Sequence, residues 1–111
     1  MKPTISKSQY VRGLQCNKAL WLYHNRKDLQ LEPSSAKKDI LDTGNLIGKL
    51  AMDNYPAGVE VTNEYWDING AIKATNKYIE DGNNIIFEAT AMHPITGAYS
   101  KIDILKRVEN T

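Results

Sequence analysis

Residues 84–108 read Asn84-Asn-Ile-Ile-Phe-Glu88-Ala-Thr-Ala-Met-His93, then Pro94-Ile-Thr-Gly97, then Ala98-Tyr-Ser-Lys101-Ile-Asp103-Ile-Leu-Lys-Arg-Val108. Two runs rich in β-branched and aromatic residues flank a Pro-Ile-Thr-Gly turn candidate, the pattern of a β-hairpin. Whether the loop is Ile95-Thr96 or the whole of Pro94 to Gly97, the register is the same and Glu88 falls opposite Asp103. Side chains alternate along a strand, so both carboxylates are expected on one face of the hairpin. Ile85, Phe87 and Ala89 are expected on the other face, opposite Ile102 and Ile104. The hairpin would then divide an apolar side from a side carrying two acids.

Like charges set opposite one another in a sheet are unfavourable by up to ~1 kcal/mol, so such a pair calls for a neutralising partner. A divalent cation is one candidate, because Mg²⁺ takes one or two protein carboxylates and leaves water and phosphate oxygens to complete its octahedron. Lys101 is the other, two residues from Asp103 and diagonal to Glu88. In that reading the group is a solvated charge cluster.

The chain has 111 residues, one small domain, with 41% hydrophobic and 24% charged residues, ordinary values for a globular protein. No apolar run reaches the ~20 residues of a membrane span and no signal-peptide core opens the sequence, so no membrane partner is expected. One cysteine, Cys16, cannot form an internal disulfide, and the cytoplasm is the expected location. The net charge of +1 hides an asymmetry. Residues 1–38 hold eight basic against two acidic residues, a net of +6, and residues 39–111 hold six against eleven, a net of −5. A basic lobe that attracts a phosphate backbone beside an acidic lobe that holds an ion fits a protein acting on phosphodiesters. Two halves that merely complement each other are the alternative.

In chain order, Ser6 or Ser8 can cap a short helix with Ile5 as a staple. Gly13 predicts a break or bend before Cys16, after which Cys16, Ala19, Leu20 and Tyr23 recur at helical spacing. On that apolar face Cys16 reads as a small buried hydrophobe, and His24 as a helix-ending residue. Ser34 or Ser35 starts a helix to about Asn54 whose buried side is Ile40, Leu41, Ile47, Leu50 and Ala51. Gly44 and Gly48 lie one turn apart on it, which points either to close approach of another element or to a locally weak helix. Val59 to Thr62 is a short strand. Asp67 or Asn69 caps a helix through Asp81 with the stripe Ile72, Thr75, Tyr78 and Ile79, and Gly82 is its C′ residue. The expected architecture is mixed α/β (α+β). Neither histidine has a partner for nucleophilic catalysis by a triad.

The run Ser6-Lys-Ser-Gln-Tyr-Val-Arg-Gly-Leu-Gln-Cys-Asn-Lys-Ala-Leu-Trp-Leu22, the Gly44 to Ala51 helix, and Phe87-Glu-Ala-Thr90 with Ile102-Asp-Ile-Leu105 together resemble the RecB-like branch of the PD-(D/E)XK nuclease superfamily. The likeness is to nuclease-like N-terminal domains related to CRISPR-associated RecB-type exonucleases. It implies a partial restriction-endonuclease-like fold that cleaves DNA with Mg²⁺ or Mn²⁺, with Asp103 as the first metal-binding aspartate and Glu88 as its neighbour. It also implies Cys16 as the first of four iron-sulfur ligands in those relatives that carry a cluster. Lys7, Arg12, Lys18 and Lys101 are the expected nucleic-acid contacts.

Two departures accompany the resemblance. The family's acid-x-Lys strand does not follow Asp103, and Gly48 stands where many relatives have a histidine four residues after a glycine. The expectation is therefore a truncated piece of a larger nuclease-like domain, inactive alone, binding no cofactor firmly and able to pair with a second copy through its hairpin edge. The alternative is a non-catalytic module of the same fold that binds nucleic acid or protein.

Overall fold

The computed structural model describes residues 3–109. Strand β1 (Ile5–Ser6) leads into helices α1 (Lys7–Gln15) and α2 (Asn17–Asn25) and a 3-10 turn at Lys27–Leu29. Helix α3 (Ser35–Asp53), strand β2 (Val59–Glu60), helix α4 (Ile68–Glu80) and strands β3 (Ile85–Met92) and β4 (Ala98–Lys106) follow. The class is mixed α and β, as expected, with one four-stranded sheet in the order β1-β4-β3-β2.

Local chemistry accounts for the helix ends. Ser6 and Gln9 form a reciprocal capping box, each side chain bonding the other's backbone N–H at 3.0 to 3.2 Å. Cys16 is extended and separates α1 from α2, so the break falls where Gly13 predicts it. A Cβ on Gly13 would come within 2.8 Å of Leu20 Cδ2, which shows how closely the two helices approach. Asp67 accepts from the Gly70 N–H at 3.1 Å to start α4. Gly82, at φ +84°, ends that helix by donating to the Ile79 carbonyl while Asn83 donates to Tyr78, the paired bonds of a left-handed cap.

Strands β3 and β4 pair antiparallel in the expected register, Ile85 with Lys106 and Ala89 with Ile102. The loop is Pro94 to Gly97, closed by His93 N–H to Ala98 O at 2.8 Å and Gly97 N–H to His93 O at 3.0 Å. Strand β2 lies parallel to β3, and α4 is the crossover that such a parallel pair requires. The two-residue β1, absent from the sequence reading, runs parallel to the start of β4 at Ala98 and Tyr99. No helix among the described residues is long and apolar enough to cross a membrane.

The core is small and lies between the sheet and α4. Val61, Ala71, Ile86 and Ala89 are buried, with Ala74, Tyr78, Ile102 and Leu105 packed around them. This overturns the expected facing of the hairpin. Ile86 and Ala89 share the α4 side although they are three positions apart, an odd spacing that a period-two pattern puts on opposite faces, and Phe87 and Ile104 lie on the opposite side. The cause is Glu88, at φ +56°, a left-handed residue inside β3. The Glu88 and Asp103 pair is missing from an otherwise continuous ladder, and alternation restarts beyond it with the faces exchanged.

Helix α3 starts and ends as expected, capped by Ser34, but its apolar side is not buried. Ile40, Leu41, Ile47 and Leu50 are between 53% and 72% exposed. Nothing lies within 4 Å of a Cβ placed on Gly44 or Gly48, so close approach of another element does not explain either glycine. Helical spacing shows that a face is apolar; it does not show what lies against it.

A buried hydroxyl joins α4 to β3. Thr75 Oγ1 donates to the Ala71 carbonyl at 2.8 Å and accepts from the Thr90 N–H at 3.0 Å. Strand β2 extends only along Ile86 and Phe87, so this side chain supplies an acceptor that a neighbouring strand does not. Replacing Thr75 by Val keeps the shape and orphans the Thr90 donor, and should cost about 1–3 kcal/mol in urea unfolding while Thr75→Ser costs less. Equal stabilities for the Val variant and the parent would show that the bond contributes nothing.

Candidate functional site

A cleft of about 780 Å³ opens between α3 and the sheet face that carries Phe87 and Ile104. Glu88 and Asp103 both line it, so the two acids singled out in the hairpin are brought to one hollow. Its size is that of a small-molecule or substrate site. Glu88 is half-buried and Asp103 exposed, so water reaches both carboxylates.

Glu60 lines the same cleft. The sequence does not single it out, because a two-residue strand does not announce its partner. The parallel register pairs Glu60 with Phe87, one place from Glu88, and so brings a third acid to this wall. The signal was the Val59-Glu-Val61 alternation, which faces Glu60 away from its apolar neighbours. Helix α3 supplies Lys49 to the rim together with Gly44 and Gly48, whose open surroundings leave backbone facing the hollow. Lys101 is exposed and does not line the cleft.

Carboxylate oxygens such as those of Glu88 and Asp103 are hard donors, the kind that Mg²⁺ and Mn²⁺ take while keeping several waters. No group of three or more His, Cys, Asp or Glu side chains among the described residues is arranged to hold a metal ion. An ion held at Glu88 and Asp103 would therefore have few protein ligands. An iron-sulfur cluster does not fit the cysteines of this chain, since Cys16 is the single cysteine and a cluster takes four ligands. Cys16 is also exposed, correcting its reading as a buried hydrophobe, because it lies at the extended joint between α1 and α2.

The remaining expected contacts are dispersed. Lys7 lines an apolar groove of about 520 Å³ with Tyr10, Met92 and Tyr99. Arg12 lines a smaller notch beside α2, and Lys18 is exposed and lines neither hollow. Arg26 makes a bidentate pair with Asp28, at 2.9 Å from Nε and 2.6 Å from Nη2, the one ion pair among the described residues. The hydrogen bonds from the guanidinium hold the Asp28 carboxyl below its usual range and raise Arg26, although both side chains are exposed.

Comparison with protein-family models, with curated proteins and with solved structures returns no match to this chain.

Glu88 occupies a conformation that costs a residue with a side chain about 1–2 kcal/mol and glycine nothing. Glu88→Gly should therefore be about 1 kcal/mol more stable than Glu88→Ala in equilibrium unfolding, both having lost the carboxylate. An alanine variant as stable as the glycine variant would place Glu88 in ordinary strand geometry.

Proposed function

We propose that this chain forms part of a metal-dependent nuclease of the RecB-like PD-(D/E)XK type, acting on DNA in the cytoplasm. The observation that carries the reading is the cleft: Glu88 and Asp103 line one hollow, and a strained backbone at Glu88 turns its side chain out of the regular strand pattern. Left-handed non-glycine residues persist where the surroundings over-determine them, and they cluster at functional sites. Asp103 and Glu88 would hold Mg²⁺ or Mn²⁺. When bound, such an ion polarises a scissile phosphate and lowers the pKa of a coordinated water. Lys49 at the rim offers a cation to a phosphate oxygen, and Glu60 offers a second-sphere acceptor for metal-bound water.

Residues 104–111 hold no acid-x-Lys motif, so these residues do not supply the lysine that the resemblance has orient the attacking water. The 111 residues by themselves should bind Mn²⁺ weakly, in the millimolar range of sites with few carboxylates, and cleave DNA little or not at all. Mn²⁺ electron paramagnetic resonance on the parent and on Asp103→Asn checks this. Binding lost in the variant supports the cleft as the metal site, and parent and variant binding alike removes it. Robust cleavage abolished by Asp103→Ala would overturn the claim of catalytic incompleteness.

A second reading, a non-catalytic binding module of the same fold, is favoured by the lack of a three-ligand group among the described residues. In that case the basic N-terminal lobe, not the cleft, makes the contact with DNA. A homodimer is the further partner proposed: β1 covers β4 only at Ala98 and Tyr99, and the long remainder of that edge can pair with a second copy. Light scattering should show association that rises with concentration, and a strict monomer at high concentration excludes it.

A further inference from the structure

The notch beside α2 is a hollow of about 230 Å³ on the basic lobe. Arg12, Arg26 and Lys27 line it, one from α1, one from the residue that closes α2 and one from the 3-10 turn, over a floor that includes Leu22 and Tyr23. Three cations converge here from three consecutive elements, and no carboxylate lines the hollow.

The cations are held differently. The Arg12 guanidinium lies over the Tyr23 ring, 4.6 Å from its centroid. The contact holds the Arg12 charge over the face of the ring, and no N–H donor of this guanidinium is engaged in an ion pair among the described residues. Arg12 has no carboxylate partner among the described residues, and neither has Lys27. Arg26 is the exception, with two of its nitrogens committed to Asp28. The ring of Tyr23 is itself fixed edge-on by His24, at 5.9 Å between centroids. A guanidinium is thus held over an aromatic ring before any ligand arrives, with an unpaired ammonium beside it and a third cation partly neutralised.

We propose that this notch binds one phosphate group of a nucleic-acid strand, with Arg12 as the oriented fork, Lys27 as the mobile charge, and Asp28 as a built-in competitor that restrains Arg26. The volume is below the ~300 Å³ of the smaller ligand pockets, so a whole nucleotide does not fit and a phosphate does. The apolar floor weakens competition from water at the anion. The strand is favoured over a free phosphate as the source because the stretch of sequence that contains the notch, residues 1–38, carries a net charge of +6. The inference rests on the reading of that lobe as a DNA-binding surface, and it is independent of metal chemistry in the cleft.

The test measures binding of a labelled single-stranded oligonucleotide by fluorescence anisotropy, in EDTA, as a function of salt. Each phosphate contact contributes about 0.7 to the slope of log K against log salt for a single strand. Arg12→Ala and Lys27→Ala should each flatten the slope in part, and the double variant by about 0.7, the share of one phosphate. Asp28→Asn should steepen it and tighten binding, because Arg26 is released, while Asp42→Asn on α3 serves as the control for the change in net charge. A gain of binding cannot come from unfolding, so the Asp28 variant keeps the test sound should Arg12→Ala fold poorly. Unchanged slopes for Arg12→Ala and Lys27→Ala, or equal effects of Asp28→Asn and Asp42→Asn, would overturn the proposal. Inorganic phosphate, compared with chloride at equal ionic strength, should displace DNA from the parent more than from Arg12→Ala. Phosphate bound at Arg12 with DNA slopes unaltered would assign the notch to a free anion and refute the strand. The EDTA condition separates this result from the fate of the cleft, which Mn²⁺ binding reports.

Discussion

In an uninterrupted strand Ile86 and Ala89 would face opposite ways, and only one of them could sit beneath α4. Both do, and together they form half of the buried cluster that includes Val61 and Ala71. The left-handed conformation of Glu88 makes this possible by resetting the alternation between them. The antiparallel register survives on both sides of the irregularity, so no residue is inserted and the partner strand adjusts in step. Phe87 and Ile104 are thereby placed with the acids, facing α3, and the cleft acquires apolar as well as charged walls. The position of the core and the composition of the cleft follow from one backbone torsion.

The two helices that flank the sheet are held to very different degrees. Helix α4 is anchored by the Thr75 hydroxyl, by its packed alanines, and by Arg107, whose guanidinium donates to the Ile79 carbonyl at 2.7 Å near the helix C-terminus. Helix α3 has no buried residue over nineteen positions. Local stability should follow: opening free energies fall where few apolar contacts and many solvent-exposed backbone hydrogen bonds are found. The wall of the cleft formed by α3 is accordingly the adaptable one, and the wall formed by the sheet, which carries Glu60, Glu88 and Asp103, is the fixed one.

Much of the fold was legible because it is written in local chemistry. The Ser34 and Asp67 caps, the Gly82 terminator, the break near Cys16 and the hairpin register all depend on neighbours a few residues away, and all are found where the sequence places them. What was not legible depends on distant partners or on one torsion. Period two failed at Glu88 because glutamate gives no sign of a positive φ. The apolar stripe of α3 was read correctly as a stripe and wrongly as buried. In the candidate site Glu88 and Asp103 could be found from the hairpin alone, whereas Glu60 required knowing that β2 runs beside β3.

The distribution of charge constrains how any phosphodiester could meet this molecule. Three carboxylates on one cleft wall repel phosphate, and at physiological ionic strength that repulsion is felt over a Debye length of about 8 Å. A strand drawn to the basic N-terminal lobe therefore gains nothing by entering the cleft unless something there reverses the local sign. Lys49 alone does not outweigh Glu60, Glu88 and Asp103 at the same rim. A divalent cation does, because it neutralises two of the three acids and presents open coordination positions to the phosphate oxygens. In the proposed function, attraction by the lobe and admission to the cleft would thus be separable steps with different electrostatics. Under the proposed function, nucleic acid would bind the lobe without metal, and a phosphodiester would come against Asp103 only with one.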